Sequence, residues 1–238
     1  MENIINLLIL QFIAHLITDF YCQNDKICQR KKDRRFKTGY LYAHALLTFL
    51  MAWLFSYAVG FVVYASIIGV AHLLIDGVKS SLKNWKYVFF ADQISHGIIL
   101  VAVVWFYNQQ VGISLPEWLS NTRYLLLISG ALFCLKPTNV LITNVLKTFE
   151  IKSTDTTGET GELEKAGRLI GNLERILALV FVLLNQYPAI GFLIAAKAIL
   201  RFKDTSTAKT EYVLIGTLLS FGVAILIGVF ILKVRTFI

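Results

Sequence analysis

Long apolar runs separated by short polar breaks dominate the chain, and no stretch of soluble-domain character exceeds about twenty residues. A helix needs about 20 mostly apolar residues to cross a bilayer. Runs of that kind predict helical spans over 3–22, 40–57, 60–79, 87–108, 123–148, 167–186, 189–203 and 211–232. The seventh, "AIGFLIAAKAILRF", is short and carries Lys197, so a re-entrant or tilted segment, and seven full spans, is the alternative to eight. The expected fold is an all-α, polytopic transmembrane helical bundle of about eight spans. Composition agrees: 56% of residues are hydrophobic and 16% charged. The opening "MENIINLLIL" has no basic region before its apolar run and no small-residue cleavage site after it, which predicts a retained helix.

Charge orients the bundle. "NDKICQRKKDRRFK" holds seven Lys and Arg, "KSSLKNWK" adds Lys79, Lys83 and Lys86, and "NQQVGISLPEWLSNT" has none. By the positive-inside rule the first two loops face the cytoplasm and the third faces outward, which puts both termini outside. The net charge of +8 is then mainly a topology signal. Too little chain lies outside the spans to form a basic surface for nucleic acid, so none is expected as a partner. Membrane lipid is, through attraction of the 26–37 loop to anionic headgroups. Cys22, Cys28 and Cys134 are odd in number and lack CxxC spacing, which argues for packing roles and against a cysteine metal site.

The hexapeptide "AHLITD" at 14–19 returns as "AHLLID" at 71–76. With the predicted topology, His15 and Asp19 lie near the inner end of span one and His72 and Asp76 near that of span three. His44 follows the start of span two, and Asp92 and His96 follow the start of span four. All four histidines of the chain therefore share one layer. Residues four apart share a helix face, so three pairs each aim an imidazole and a carboxylate the same way. The first 108 residues read as a tandem pair of helical hairpins. They form a four-helix His/Asp membrane domain, and 109–238 form a second helical half with a cytoplasmic linker at 149–166.

Ionisable groups inside a span face the bundle interior and pair with something. Three Asp and four His offer oxygen and nitrogen donors suited to a divalent transition metal, Zn, Mn or Fe. Seven donors exceed one tetrahedral ion, so one or two ions fit the set. Asp–His pairs that only bond helices together, a proton relay and bis-histidine haem ligation are the other readings of the same residues.

"HLITDFYCQNDK", "AHA", "HLLIDGVK" and "ADQISH" resemble the signature of a bacterial membrane-protein family known as domain of unknown function 3307, over roughly residues 5–105. The resemblance implies that Phe20, Gln23, Lys79 and Gln93 belong with the His/Asp set, Gln23 and Gln93 as hydrogen-bonding partners behind the ligands. More distantly, the spaced His/Asp elements are similar to bacterial inner-membrane metal-dependent hydrolases. A place in the bacterial cytoplasmic membrane follows from the same likeness.

In the second half, Arg168, Glu174, Arg175, Lys197 and Arg201 fall near the cytoplasmic ends of spans six and seven. Either Glu174 neutralises a basic neighbour between helices, or Arg168, Arg175, Lys197 and Arg201 hold an anion over the metals. No Walker A loop, G-x-S-x-G elbow or G-x-G-x-x-G fingerprint is present. Three functions follow. The favoured one is a cytoplasm-facing intramembrane metal-dependent hydrolase of a phosphate ester or lipid-like, small anionic substrate, with Asp92 and Lys79 as catalytic residues. A divalent-metal or proton transporter using the same layer is the second, and an interaction protein with a structural metal is the third. Donors that stop halfway across the membrane favour the enzyme.

Overall fold

The computed structural model describes residues 2–23, 38–82, 85–151, 161–201 and 207–237. The basic 26–37 loop, Cys28, Lys83 and residues 152–160 of the expected linker lie outside the described residues. Helices follow one another as α1 (Glu2–Leu16), α2 (Gly39–Leu54), α3 (Val62–Ser81), α4 (Val88–Gln110), α5 (Thr122–Cys134), α6 (Lys136–Thr148), α7 (Gly161–Leu183), α8 (Tyr187–Arg201) and α9 (Thr207–Phe237). A π-helical turn, Ile17–Tyr21, extends α1, and no strand occurs among the described residues.

The protein is a polytopic bundle of apolar helices. Four stretches are long and apolar enough to cross a membrane: Glu2–Tyr21, Val59–Ser81, Val88–Gln110 and Glu211–Val234. A fifth is the α5–α6 pair, bent by 46°. All eight expected spans coincide with helices, but α2, with 16 residues, rises about 24 Å against the roughly 30 Å of hydrocarbon. The Tyr187–Ile199 part of α8 is shorter still, and α7 starts at Gly161, six residues before its expected start at 167, with a polar first half. Length and polarity, more than helicity, separate the four or five clear spans from the expected eight.

The chain divides into two compact units, Met1–Ser129 and Gly130–Ile238. The first continues past residue 108 because Asn6 Nδ2 donates to the carbonyls of Leu119 and Ser120, and Thr122 Oγ1 donates to Asn6 Oδ1 at 2.6 Å. Its four long helices pack in a ring, α1 on α2, α2 on α3, α3 on α4 and α4 on α1. At the level of the histidines the ring is polar inside and greasy outside. Gln11, His15, His44, Thr48, His72, Asp76, Asp92 and His96 are buried, whereas Leu46, Leu50, Ile67, Leu74, Ile94 and Ile98 are exposed. That inversion suits a lipid solvent, which rewards burial of polar groups and leaves apolar ones indifferent. Exposed Tyr40, Tyr42, Trp85 and Tyr87 mark one end of the helices and Trp53, Tyr57, Trp105 and Trp118 the other, as aromatic belts do at membrane interfaces.

In the second unit, Pro137 lies in the first turn of α6 and has no N–H, so the Phe133 carbonyl loses its helical donor. Thr138 Oγ1 donates to it at 2.6 Å instead, and Arg175 Nε donates to the next carbonyl, Cys134. The bend at Leu135 is thus fully capped by side chains.

Candidate metal centre

Each His/Asp residue arrives by a local device. On α1, His15 precedes the π turn, in which Cys22 N–H bonds Ile17 O at 2.9 Å and Thr18 Oγ1 donates to His15 O at 3.0 Å. Asp19 sits within this widened turn, its Oδ2 3.9 Å from His15 Nδ1, much as Asp76 Oδ2 stands 3.8 Å from His72 Nε2 on the regular helix α3. On α2 and α3, a close helix approach matters. A Cβ on Gly69 would stand 2.9 Å from Phe49 Cβ and 3.3 Å from Ala45 O, so the two backbones meet where only glycine fits. One turn away, His44 Nε2 and His72 Nε2 come within 2.9 Å.

The layer predicted from spacing is assembled. His15, His44, His72, Asp76, Asp92 and His96 are each at least nine-tenths buried. Ligand atoms lie within 4.8 Å of one another in three overlapping groups: His15, Asp19 and His72; His44, His72 and Asp76; and Asp19, Asp92 and His96. Asp19 Oδ1 is 3.2 Å from both His44 Nε2 and His72 Nε2, and Asp76 Oδ2 is 3.9 and 3.8 Å from the same two nitrogens. Gln23 Nε2 reaches both ring nitrogens of His44, and His72 Nε2 meets both His44 Nε2 and Asp19 Oδ1, so a hydrogen-bond network joins the triangle. Its edges of 2.9–3.9 Å also bracket the roughly 3.3 Å edge of a tetrahedron with bonds near 2.0 Å, which fits the set to a cation.

A second focus lies around Asp92. Its Oδ2 accepts from Lys79 Nζ at 2.6 Å and from Gln93 Nε2 at 3.0 Å. Its Oδ1 and His96 Nε2 are buried without hydrogen-bond partners and face each other at 3.5 Å. A carboxylate oxygen and an imidazole nitrogen that face each other without closing a hydrogen bond are two ligand atoms an ion can bridge. Lys79, with 37% of its side chain exposed, reaches in from the open end. Gln93 also contacts His15 Nε2 through Oε1 at 3.3 Å, and Gln23 Nε2 contacts His44, so each lies against a histidine of the layer. Phe20 is buried alongside.

Gln11 was not singled out by the sequence. It is 1% exposed, its Nε2 donates to Ala52 O at 2.9 Å and its Oε1 is unpartnered. It lines a small cavity with His15, Thr48, His72 and His96. The signal was available, because Gln11, His15 and Asp19 follow at steps of four.

The basic residues of the second unit meet a different arrangement from an open anion site. Arg175, 2% exposed, gives its donors to Cys134 O, Ser220 Oγ, Asn139 Oδ1 and Asn172 Oδ1. Lys197 pairs with Glu174, Arg168 is exposed, and the side chain of Arg201 lies outside the described residues.

Fold and layer define a polytopic helical membrane protein with a buried His/Asp centre. The chain belongs to the family described as Protein of unknown function (DUF3307), whose match covers residues 7–126. All seven His/Asp residues fall inside that match, and Arg168, Arg175, Lys197 and Arg201 fall outside it. No curated protein and no solved structure matches the chain.

Proposed function

We propose that the protein is a metal-dependent hydrolase whose centre lies near the cytoplasmic face and acts on a membrane-near phosphate ester or lipid-like phosphate. The observation that carries this reading is the facing pair of orphaned atoms, Asp92 Oδ1 and His96 Nε2, within a buried layer of convergent His/Asp donors. His15, Asp19, His44, His72, Asp76, Asp92 and His96 are the ligands. A divalent ion held there would supply a nucleophilic hydroxide at neutral pH and polarise a phosphoryl oxygen. Lys79 fixes Asp92 with one N–H and has further ammonium protons for the substrate anion. Gln93 holds both Asp92 and His15 in orientation.

The outer half of the ring supports enzyme over transporter. Leu7, Phe61, Ala65, Val104 and Tyr107 form a buried, mostly apolar cluster beyond the layer, which offers an ion no imidazole or carboxylate on the way out. One observation favours transport: Gln11 extends the polar face of α1 a turn past His15 with an acceptor free.

One preparation separates the two. Full-length protein in detergent is assayed for metal-dependent phosphate release from a panel of esters and lipids, and the same protein in sealed liposomes for metal or proton flux. Asp92→Asn is expected to abolish release. Saturable flux that Asp92→Asn removes, with no ester turned over, replaces the hydrolase by the transporter.

A further inference from the structure

Seven donors around one carboxylate raise the question of how many ions they serve. We infer that the layer holds two divalent ions that share the Asp19 carboxylate, and that one phosphate group of the substrate meets both. This rests on the metal-dependent reading above.

The donors separate into two sets. His44 Nε2, His72 Nε2 and Asp76 Oδ2 gather on one side, with Asp19 Oδ1 3.2 Å from each nitrogen. Asp92 Oδ1 and His96 Nε2 gather on the other. The second oxygen of Asp19 lies 3.4 Å from Gln93 Nε2 and 3.9 Å from His15 Nδ1, and Asp19, Asp92 and His96 present ligand atoms within 4.8 Å of one another. Asp19 is therefore the carboxylate common to both sets. His72 and His96, one from each set, stack with ring centroids 4.1 Å apart and planes 23° from parallel. Rings in that relation stand about as far apart as the roughly 3.5–4 Å between ions in two-metal sites. Among the described residues, none of the three groups of ligand atoms within 4.8 Å of one another holds both His44 and His96.

Two ions held there would supply charge to both the attacking and the leaving oxygen of an in-line displacement at phosphorus, in which the P–O bond to the alcohol breaks as the bond to hydroxide forms. Lys79 stands at the open end beside Asp92 to meet the phosphoryl oxygens.

The test uses the full chain in detergent, loaded to saturation with Mn2+ in the presence of inorganic phosphate, with metal counted by elemental analysis and the ions read by electron paramagnetic resonance. Two Mn2+ per chain with an exchange-coupled spectrum are expected. Asp19→Asn is expected to lose the coupling, and His96→Gln to leave one ion with the spectrum of isolated Mn2+. A single ion at saturation in the wild type, or two ions without coupling, overturns the shared carboxylate but leaves a metal-dependent hydrolase standing. Coupling that survives in Asp19→Asn moves the bridge to another ligand and also overturns it. No Mn2+ uptake at all removes both readings together.

Discussion

Substituting Gly69 by alanine adds one methyl group where α2 and α3 touch, and the structure fixes what it meets. The new Cβ stands 2.9 Å from Phe49 Cβ and 3.3 Å from Ala45 O. Carbon atoms rest at about 3.5–4.0 Å, so the deficit is roughly 0.6–1.1 Å. Neither obstacle rotates aside, because a Cβ and a carbonyl oxygen are both fixed to the backbone of α2. The helices must part. Overpacking of this kind costs about 1–3 kcal/mol, and the gap it opens is transmitted to His44 and His72, whose nitrogens are 2.9 Å apart. Metal sites tolerate about 0.2 Å in ligand position, so loss of affinity by about ten- to a hundredfold is expected, the range for disturbing ligand orientation. The assay is metal content after dialysis against graded free Zn2+ or Mn2+, alongside thermal melting in detergent. Gly97→Ala is the control: it adjoins His96, but a Cβ there has nothing within 4 Å. Full metal affinity and an unchanged melting temperature in Gly69→Ala would refute the link from helix approach to site.

Arg175→Met is expected to destabilise the second unit by about 3 kcal/mol, the loss of at least two charge-assisted bonds, read as a lower melting temperature with metal content unchanged. Arg175→Lys recovers only part of it, because an ammonium cannot fork among four acceptors on separate helices. For orientation, a cysteine placed in the 26–37 loop is expected to label only from the cytoplasmic side and one at Ser114 only from outside; the reverse moves the centre to the external face.

What could be read from the sequence was whatever a helix enforces. Asp and His four residues apart must share a face, and in lipid that face must turn inward, so the layer of His15, Asp19, His44, His72, Asp76, Asp92 and His96 followed without coordinates. What escaped depends on backbone departures and on choice among like partners. The π turn at Ile17–Tyr21, which carries Asp19, has no sequence signature of its own. The break before α6 did have one, Pro137, overlooked inside a run apolar enough to count as a single span over 123–148. Arg175 shows the other limit. An arginine near a helix end reads equally as an anion ligand or as a cap for exposed carbonyls, and only the position of Cys134 O distinguishes them.

Charge then constrains how the centre fills. Among the described residues, the layer contains three carboxylates, Asp19, Asp76 and Asp92, and one ammonium, Lys79. With neutral imidazoles that leaves two negative charges in a low-dielectric ring, and one divalent ion cancels them. A second ion brings an excess of two positive charges, which is costly there unless an anion enters with it. A phosphate dianion, or hydroxide with a phosphodiester, restores neutrality. The second ion and the phosphate should therefore bind as a coupled pair. Inorganic phosphate is expected to tighten the weaker Mn2+ site about tenfold or more, within the 1–3 kcal/mol usual for coupling between sites, and the second Mn2+ must tighten phosphate by the same factor. Calorimetric titration of Mn2+ with and without phosphate measures one side of that cycle, and phosphate titration at one and two ions per chain measures the other. Lys79→Gln removes a positive charge and so should strengthen second-ion binding in the absence of phosphate while reducing the coupling. If phosphate leaves the weaker site unchanged, or Lys79→Gln weakens it, then charge balance does not govern the order in which the centre is loaded.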